Sequence, residues 1–193
     1  MPNTTSATPA VGNIRTLALV GPAAAGKTTL AEALLQHTGA MGAAGSVERG
    51  STVSDHDALE IKAGHSLQSS VMHLDHGGCR IHLIDTPGAP DFIGQSLPAL
   101  EAVETAAIVI NAAAGIEPMA QRMMAYAAER GLDRLVIVNR LDAQDVDLSA
   151  VLADIQAAFG KECLPLNLPD AGATQVVDCF YNREGHCDCG AVA

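Results

Sequence analysis

Three short stretches of this sequence carry residue types that handle phosphate, metal and a purine base. Gly21-Pro22-Ala23-Ala24-Ala25-Gly26-Lys27-Thr28 fits the pattern G-x-x-x-x-G-K-[ST]. In such a loop the backbone N–H groups can cradle phosphate oxygens, and the helix that follows adds the favourable end of its dipole. Lys27 is expected to reach the β- and γ-phosphates, and the Thr28 hydroxyl to bind Mg²⁺. Asp85-Thr86-Pro87-Gly88 offers a carboxylate that can hold Mg²⁺, usually through water, and a glycine whose N–H can meet the γ-phosphate. In Asn139-Arg140-Leu141-Asp142, the Asp142 carboxylate can accept a pair of hydrogen bonds from guanine N1–H and N2–H₂. Adenine cannot supply that pair, so Asp142 would select GTP over ATP. Asn139 would touch the base edge and tie back to the phosphate loop. Each stretch has a plainer reading: a small-residue turn, a common D-T-P-G turn, and a helix N-cap at Asp142.

The elements around these stretches favour the chemical readings. Thr16 to Val20 reads as a buried strand feeding the glycine loop, and Thr28 to His37 as the helix after it. Gly39 to Thr52 is rich in Gly, Ala and Ser and reads as a loop. Leu67 to Leu74 alternates like an outer strand, Gly77-Gly78 turns, and Arg80 to Ile84 returns beside it as a hairpin partner. Helices are predicted over Asp91 to Glu104, with Phe92, Leu97, Leu100 and Val103 inward, over Pro118 to Arg130 and over Asp145 to Phe159. Ala106 to Ala112 and Leu135 to Val138 read as buried strands. Strands alternating with helices imply an α/β fold with a mostly parallel sheet covered on both faces, plus one antiparallel hairpin strand. Ligands in such sheets sit beyond the carboxyl ends of the strands, which gathers the three stretches and the segment after Ala112 at one rim.

The 193 residues suit one domain, and 48% hydrophobic against 17% charged residues marks a globular chain. Aromatics make up only 3%, so the core must be built from Ala, Leu, Val and Ile. A formal net charge of −11, with 11 scattered Lys and Arg, argues against direct nucleic-acid binding by this segment. The first residues lack the pattern of a signal peptide, and no apolar run is long enough to span a bilayer. A cytoplasmic setting with reduced thiols is the expectation for the 5 cysteines. His186-Cys187-Asp188-Cys189 lacks a second spaced pair for a metal site and reads as a loose end.

The ordered set GPAAAGKTT, DTPGAPDF and NRLD resembles a translational GTPase. Gly45-Ser46-Val47-Glu48 with Thr52-Val53-Ser54-Asp55 is similar to the segment leading into the first switch of elongation factor G, and Gly64 to Ser69 to that family's G-I-T-I stretch. Cys163 to Pro169 and Val176 to Asp178 resemble the start of the insert in that factor's GTPase domain. The likeness runs from about Asn13 to Phe180 and is nearest to the elongation factor G-like paralogues. Tetracycline-resistance proteins that protect the ribosome are more distant. The resemblance implies a P-loop NTPase fold binding GTP or GDP with Mg²⁺. The implied nucleotide contacts are Gly21, Pro22, Ala23, Ala24, Ala25, Gly26, Lys27, Thr28, Thr29, Asp85, Gly88, Asn139, Arg140 and Asp142. The implied metal ligands are Thr28, Ser66 and Asp85, with Ser66 standing where the family has the switch Thr. Residues 1–12 read as a disordered lead-in, and the resemblance implies an incomplete GTP-binding domain over 13–168 and the start of the insert with a loose tail over 169–193. A ribosome would be met only through a longer protein, and no membrane is implied.

Departures from the family pattern matter as much. Ala89 occupies the position of the His that positions the attacking water, so no catalytic side chain is assigned and slow intrinsic hydrolysis is expected. Pro90 beside it should stiffen the second switch. Arg140 replaces the Lys of N-K-x-D, and Ala63 the usual Arg before G-I-T-I. The family's final strand, with its Ser-Ala-x guanine-contact loop, and the final helix have no counterpart here, so an incomplete sheet with an exposed edge is expected. The alternatives to a GTPase are a GDP/GTP-sensing module that hydrolyses little, a remnant with little nucleotide binding, and an ATP binder.

Overall fold

A computed structural model describes residues 9–54, 57–143, 146–169 and 176–179. The tail around His186 to Cys189, the first eight residues and Asp55 lie outside them. Five strands form one sheet in the order β2-β3-β1-β4-β5. They are β1 (Ile14–Val20), β2 (Ser70–His76), β3 (Cys79–Asp85), β4 (Thr105–Asn111) and β5 (Asp133–Asn139). β1 pairs parallel with β3 and β4, β4 pairs parallel with β5, and only β2 runs antiparallel, against β3. This is the expected P-loop architecture with its one hairpin strand. Gly77 and Gly78 both take positive φ, 58° and 78°, which the tight β2–β3 turn requires.

The helices are α1 (Lys27–His37), α2 (Ala58–Ala63), α3 (Ile93–Glu101), α4 (Pro118–Glu129) and α5 (Leu148–Phe159). The core divides by sheet face. On one side Ala18, Val20, Ile108 and Ile110 pack with Leu100, Met123 and Ile155 from α3, α4 and α5. On the other, Leu19, Leu83, Ala107 and Val109 pack with Ala31 and Leu35 of α1. Ala, Leu, Val and Ile build most of this core, joined by Met72, Met119, Met123 and Met124. Burying β1 and β4 on both faces fixes the carboxyl ends of the central strands, from which the chemical loops spring.

Several sequence expectations need correction. The lead-in ends in a 3₁₀ turn at Val11–Asn13, not in irregular chain. The helix expected from Asp91 begins as a 3₁₀ turn at Pro90–Phe92 and becomes α-helical only from Ile93 to Glu101. Its inner face still includes buried Leu100, with buried Val103 just beyond the helix, while Phe92 and Leu97 are half-buried. The last helix begins at Leu148 because the Asp147 side chain caps it, accepting from Ser149 N and Ala150 N. β5 was expected to be buried, yet its residues are half-buried or exposed, because it is an edge of the sheet. Two elements escaped the sequence reading. One is α2, and the other is a small antiparallel pair of β6 (Asn167–Pro169) and β7 (Val176–Asp178). No helix among the described residues is long and apolar enough to cross a membrane.

Candidate functional site

β1 ends in the centre of the sheet, and Gly21 turns the chain away from it at φ 136°. A side chain at Gly21 would collide with the carbonyl oxygen of Val109 on β4, so only glycine lets the loop leave this close to the neighbouring strand. Ala24 adopts a left-handed φ of 59°, and Gly26 does so at 91° as the N-cap of α1. Those turns place Ala23 and Ala24 on the exposed lip and bury Gly21, Pro22 and Ala25 behind it. Successive residues of opposite hand make the backbone concave, a form suited to anions.

Lys27 opens α1 and lies inside this concavity, only 6% exposed. Its ammonium donates to the carbonyl oxygens of Gly21 at 3.0 Å and Pro22 at 2.7 Å. Burial pulls its pKa down from 10.5 to about 8, against the opposing pull of Asp85 and Glu117. A buried cation held by neutral carbonyls has little to compensate its lost hydration, and an anion beside it would restore that loss.

The neighbouring wall comes from the end of β3. Thr28 Oγ1 donates to Asp85 Oδ2 at 2.7 Å and lies 3.2 Å from Ser66 Oγ. Residues from α1, β3 and the segment before β2, widely separated in sequence, thus bring two hydroxyls and a carboxylate together. Hard oxygen donors of this kind fit Mg²⁺. The group tolerates the ion chemically, with Asp85 1% exposed. Gly88 packs against the loop so closely that a Cβ there would lie 2.5 Å from Ala23 N and Pro22 C and would strike Lys27 Nζ. The stretch before it is pinned from both sides. Thr86 Oγ1 donates to Leu19 O at 2.8 Å, and Ser96 Oγ of α3 to Pro87 O at 2.9 Å. Ala89 follows half-buried, with only a methyl group to present.

At the end of β5, Asn139 Nδ2 donates to Ala25 O at 2.9 Å, joining this strand to the phosphate loop as the sequence suggested. A Cβ on Gly26 would collide with the same Nδ2. Asn139 Oδ1 accepts from Arg140 N at 2.9 Å, and Arg140 takes a left-handed φ of 60°. Arg140 and Asp142 are exposed, and Thr29 is exposed on α1. The structure therefore gathers Gly21 to Thr28, Ser66, Asp85, Gly88 and Asn139 closely, and leaves Arg140 and Asp142 on an open rim.

Sequence reasoning missed several supporting residues. Glu32 of α1, 1% exposed, accepts from Gly45 N at 2.7 Å and Val53 N at 2.5 Å. Glu60 of α2, 3% exposed, accepts from Leu67 N at 2.9 Å and Gln68 N at 3.1 Å. Ser69 Oγ donates to Gln95 O of α3 at 2.9 Å, and the rings of His65 and Phe92 lie 6.2 Å apart. A glutamate on a helix or in a loop-rich stretch looks solvated in sequence. Its burial emerges only when distant backbone N–H groups converge on it.

Comparison with known proteins identifies the family. The family described as the elongation factor Tu GTP binding domain matches residues 12–183. An elongation factor G-like protein of Mycobacterium tuberculosis is 37% identical over 158 residues, which cover 82% of this chain and 22% of that protein. A peptide chain release factor 3 of Symbiobacterium thermophilum is 34% identical over 177 residues, covering 89% of this chain and 33% of the relative. A crystal structure of a Thermus thermophilus protein superposes with a TM-score of 0.82 at 39% identity, covering 86% of this chain and 26% of that one. The chain thus spans between about a fifth and a third of the relatives' lengths.

Proposed function

Because this chain belongs to the elongation factor Tu GTP-binding domain family and is a translational GTPase domain, we propose that its rim binds Mg²⁺-GTP and hydrolyses it to GDP and phosphate. The reading is carried by one observation: the buried Lys27 ammonium beside the Thr28, Ser66 and Asp85 oxygens, under a loop of opposite-handed turns. Gly21 to Thr29 would wrap the phosphates, and Lys27 would neutralise charge on the β- and γ-phosphoryl oxygens. Thr28, Ser66 and Asp85 would hold Mg²⁺, whose charge offsets that of the phosphates when it is bound. Gly88 would offer its N–H to the γ-phosphate. Asn139, Arg140 and Asp142 would meet guanine. Water would be the nucleophile. In the full protein, a ribosome is the proposed stimulating partner and the cytoplasm the proposed setting, by likeness to translation factors.

Lys27→Ala tests this reading by calorimetry with GDP. Loss of a buried charge-assisted contact should weaken binding by about a hundredfold, or about 3 kcal/mol. Unchanged affinity would sink the assignment.

A second reading, a GDP/GTP-sensing module with little turnover, is favoured by Ala89, which follows Gly88 with no group able to orient water. Single-turnover hydrolysis separates the two readings. Ala89→His should raise the rate by about tenfold or more if a positioned acid–base group is what is lacking. A wild-type rate already equal to that of the variant would remove the second reading.

A further inference from the structure

We infer that Glu60 is a positioning residue of the nucleotide site. Its carboxylate holds the chain just beyond Ser66, so that the Ser66 hydroxyl faces Thr28 and Asp85. The inference rests on the proposed binding of Mg²⁺-GTP and adds a determinant of triphosphate over diphosphate preference.

Glu60 begins as an ordinary helix-capping residue. It is the third residue of α2, and its Oε2 accepts from the N-cap Asp57 N at 3.3 Å while Asp57 caps in return. A capping box needs no more than that, and it usually sits in solvent. Here the other oxygen, Oε1, faces the opposite way. It accepts from the backbone N–H groups of Leu67 and Gln68, beyond the far end of the helix. Gly64, left-handed at φ 70°, turns the chain back after α2 so that these amides return alongside the glutamate. The carboxylate therefore closes a loop from Asp57 to Gln68, with Ser66 one residue before the first amide it holds. Ser66 Oγ in turn lies 3.2 Å from Thr28 Oγ1, and Thr28 bonds Asp85.

A buried carboxylate is tolerated only where hydrogen bonds replace its water, and three amides do so here. Removing it leaves those amides to find other partners and frees the 64–68 stretch to wander. Lys27, the phosphate loop and Asn139 make none of these bonds. Contacts to the α- and β-phosphates should then survive, while those that Ser66 makes with the metal and the γ-phosphate should not. Glu32 provides an internal contrast. It is as deeply buried, but it lies on α1 and holds Gly45 and Val53, which precede α2 and are far in sequence from Ser66.

The test compares Glu60→Ala, Glu60→Gln and wild type by two measurements. Amide exchange on the nucleotide-free protein reads Leu67 and Gln68 directly. Both amides should exchange about tenfold faster or more in Glu60→Ala, with the strands unchanged. Calorimetry with GDP and with a non-hydrolysable GTP analogue, each with Mg²⁺, should show analogue affinity falling about tenfold while GDP affinity stays within about twofold. Glu60→Gln keeps one acceptor oxygen and should recover part of the analogue preference. Exchange no faster in Glu60→Ala, or equal losses for the two nucleotides, overturns the inference and leaves the Lys27 reading standing. If Lys27→Ala binds as well as wild type, the site reading falls instead, and amide exchange still decides whether Glu60 holds the Ser66 stretch.

Discussion

The phosphate end and the base end of the rim are built on opposite plans. The phosphate end rises from β1 and β3 inside the sheet, with Lys27, Asp85, Thr86 and Gly88 all buried. Its parts hold one another through short bonds from Thr28 to Asp85 and from Thr86 to Leu19. The base end rises from β5, an edge strand, and leaves Arg140 and Asp142 exposed. Only Asn139 is drawn inward, through its bond to Ala25. The difference teaches where binding energy and selectivity should reside. On the proposed reading, charge neutralisation in a buried, pre-shaped loop should supply affinity, whereas an exposed carboxylate in high dielectric should discriminate between bases without holding them strongly.

The largest effect should come from disturbing the buried end. Gly88→Ala places a methyl group against Lys27 Nζ and the Ala23 amide. Nucleotide affinity should fall by about a hundredfold, as the loop or the Gly88 turn must move aside. Titration with GDP checks it, and near-normal binding would show that the tight packing is not part of the site.

The next effect follows pH. With Lys27 at about 8, the ammonium form is lost above that value in the free protein. A bound phosphate favours the ammonium, so GDP affinity should be level below about pH 8 and then weaken by up to about tenfold per pH unit. Proton uptake on binding, read by calorimetry in buffers of different ionisation enthalpy, should appear in the same range. Stability moves oppositely. The unfolded lysine, at its ordinary 10.5, binds more protons than the folded one between about 8 and 10.5. Burying the cation therefore costs stability fully below about 8, and that cost is relieved as pH rises toward 10.5, by about 3 kcal/mol in total. Denaturation of Lys27→Met should lack this dependence.

At the open end, Asp142→Ala should reduce the preference for GTP over ATP by about tenfold, while binding of the shared triphosphate persists. Competition between the two nucleotides measures it. A collapse of all binding would contradict the division between the two ends. Smallest of all, Arg140→Gly removes a left-handed non-glycine residue. The nucleotide-free protein should gain up to about 1 kcal/mol if the lost strain outweighs the looser unfolded chain. A lower melting temperature would show that Arg140 is held by favourable contacts.

The two ends also differed in how readable they were. Gly21 to Thr28 announced itself because strand, glycine pattern and helix all lie within one short stretch. Asp85 and Asn139 were readable from their places after apolar strands. The meeting of Ser66 with Thr28 was implied only by family likeness, since no local rule brings a loop serine to a helix hydroxyl. α2 was hidden inside a stretch of weak periodicity, where Asp57, Glu60 and Gly64 act as start and stop signals for only six residues. β5 looked buried because Leu135 to Val138 is uniformly apolar. Burial depends on a neighbour, and the described sheet ends there.

The double pinning of the Asp85 to Pro87 stretch has a mechanical corollary. Thr86 is fastened to the end of β1, and α3 is fastened to Pro87 through one serine hydroxyl. Withdrawal of α3 would therefore have to break that hydrogen bond as well as the apolar packing of Ala99 and Leu100, with the pivot falling after Pro87, at Gly88.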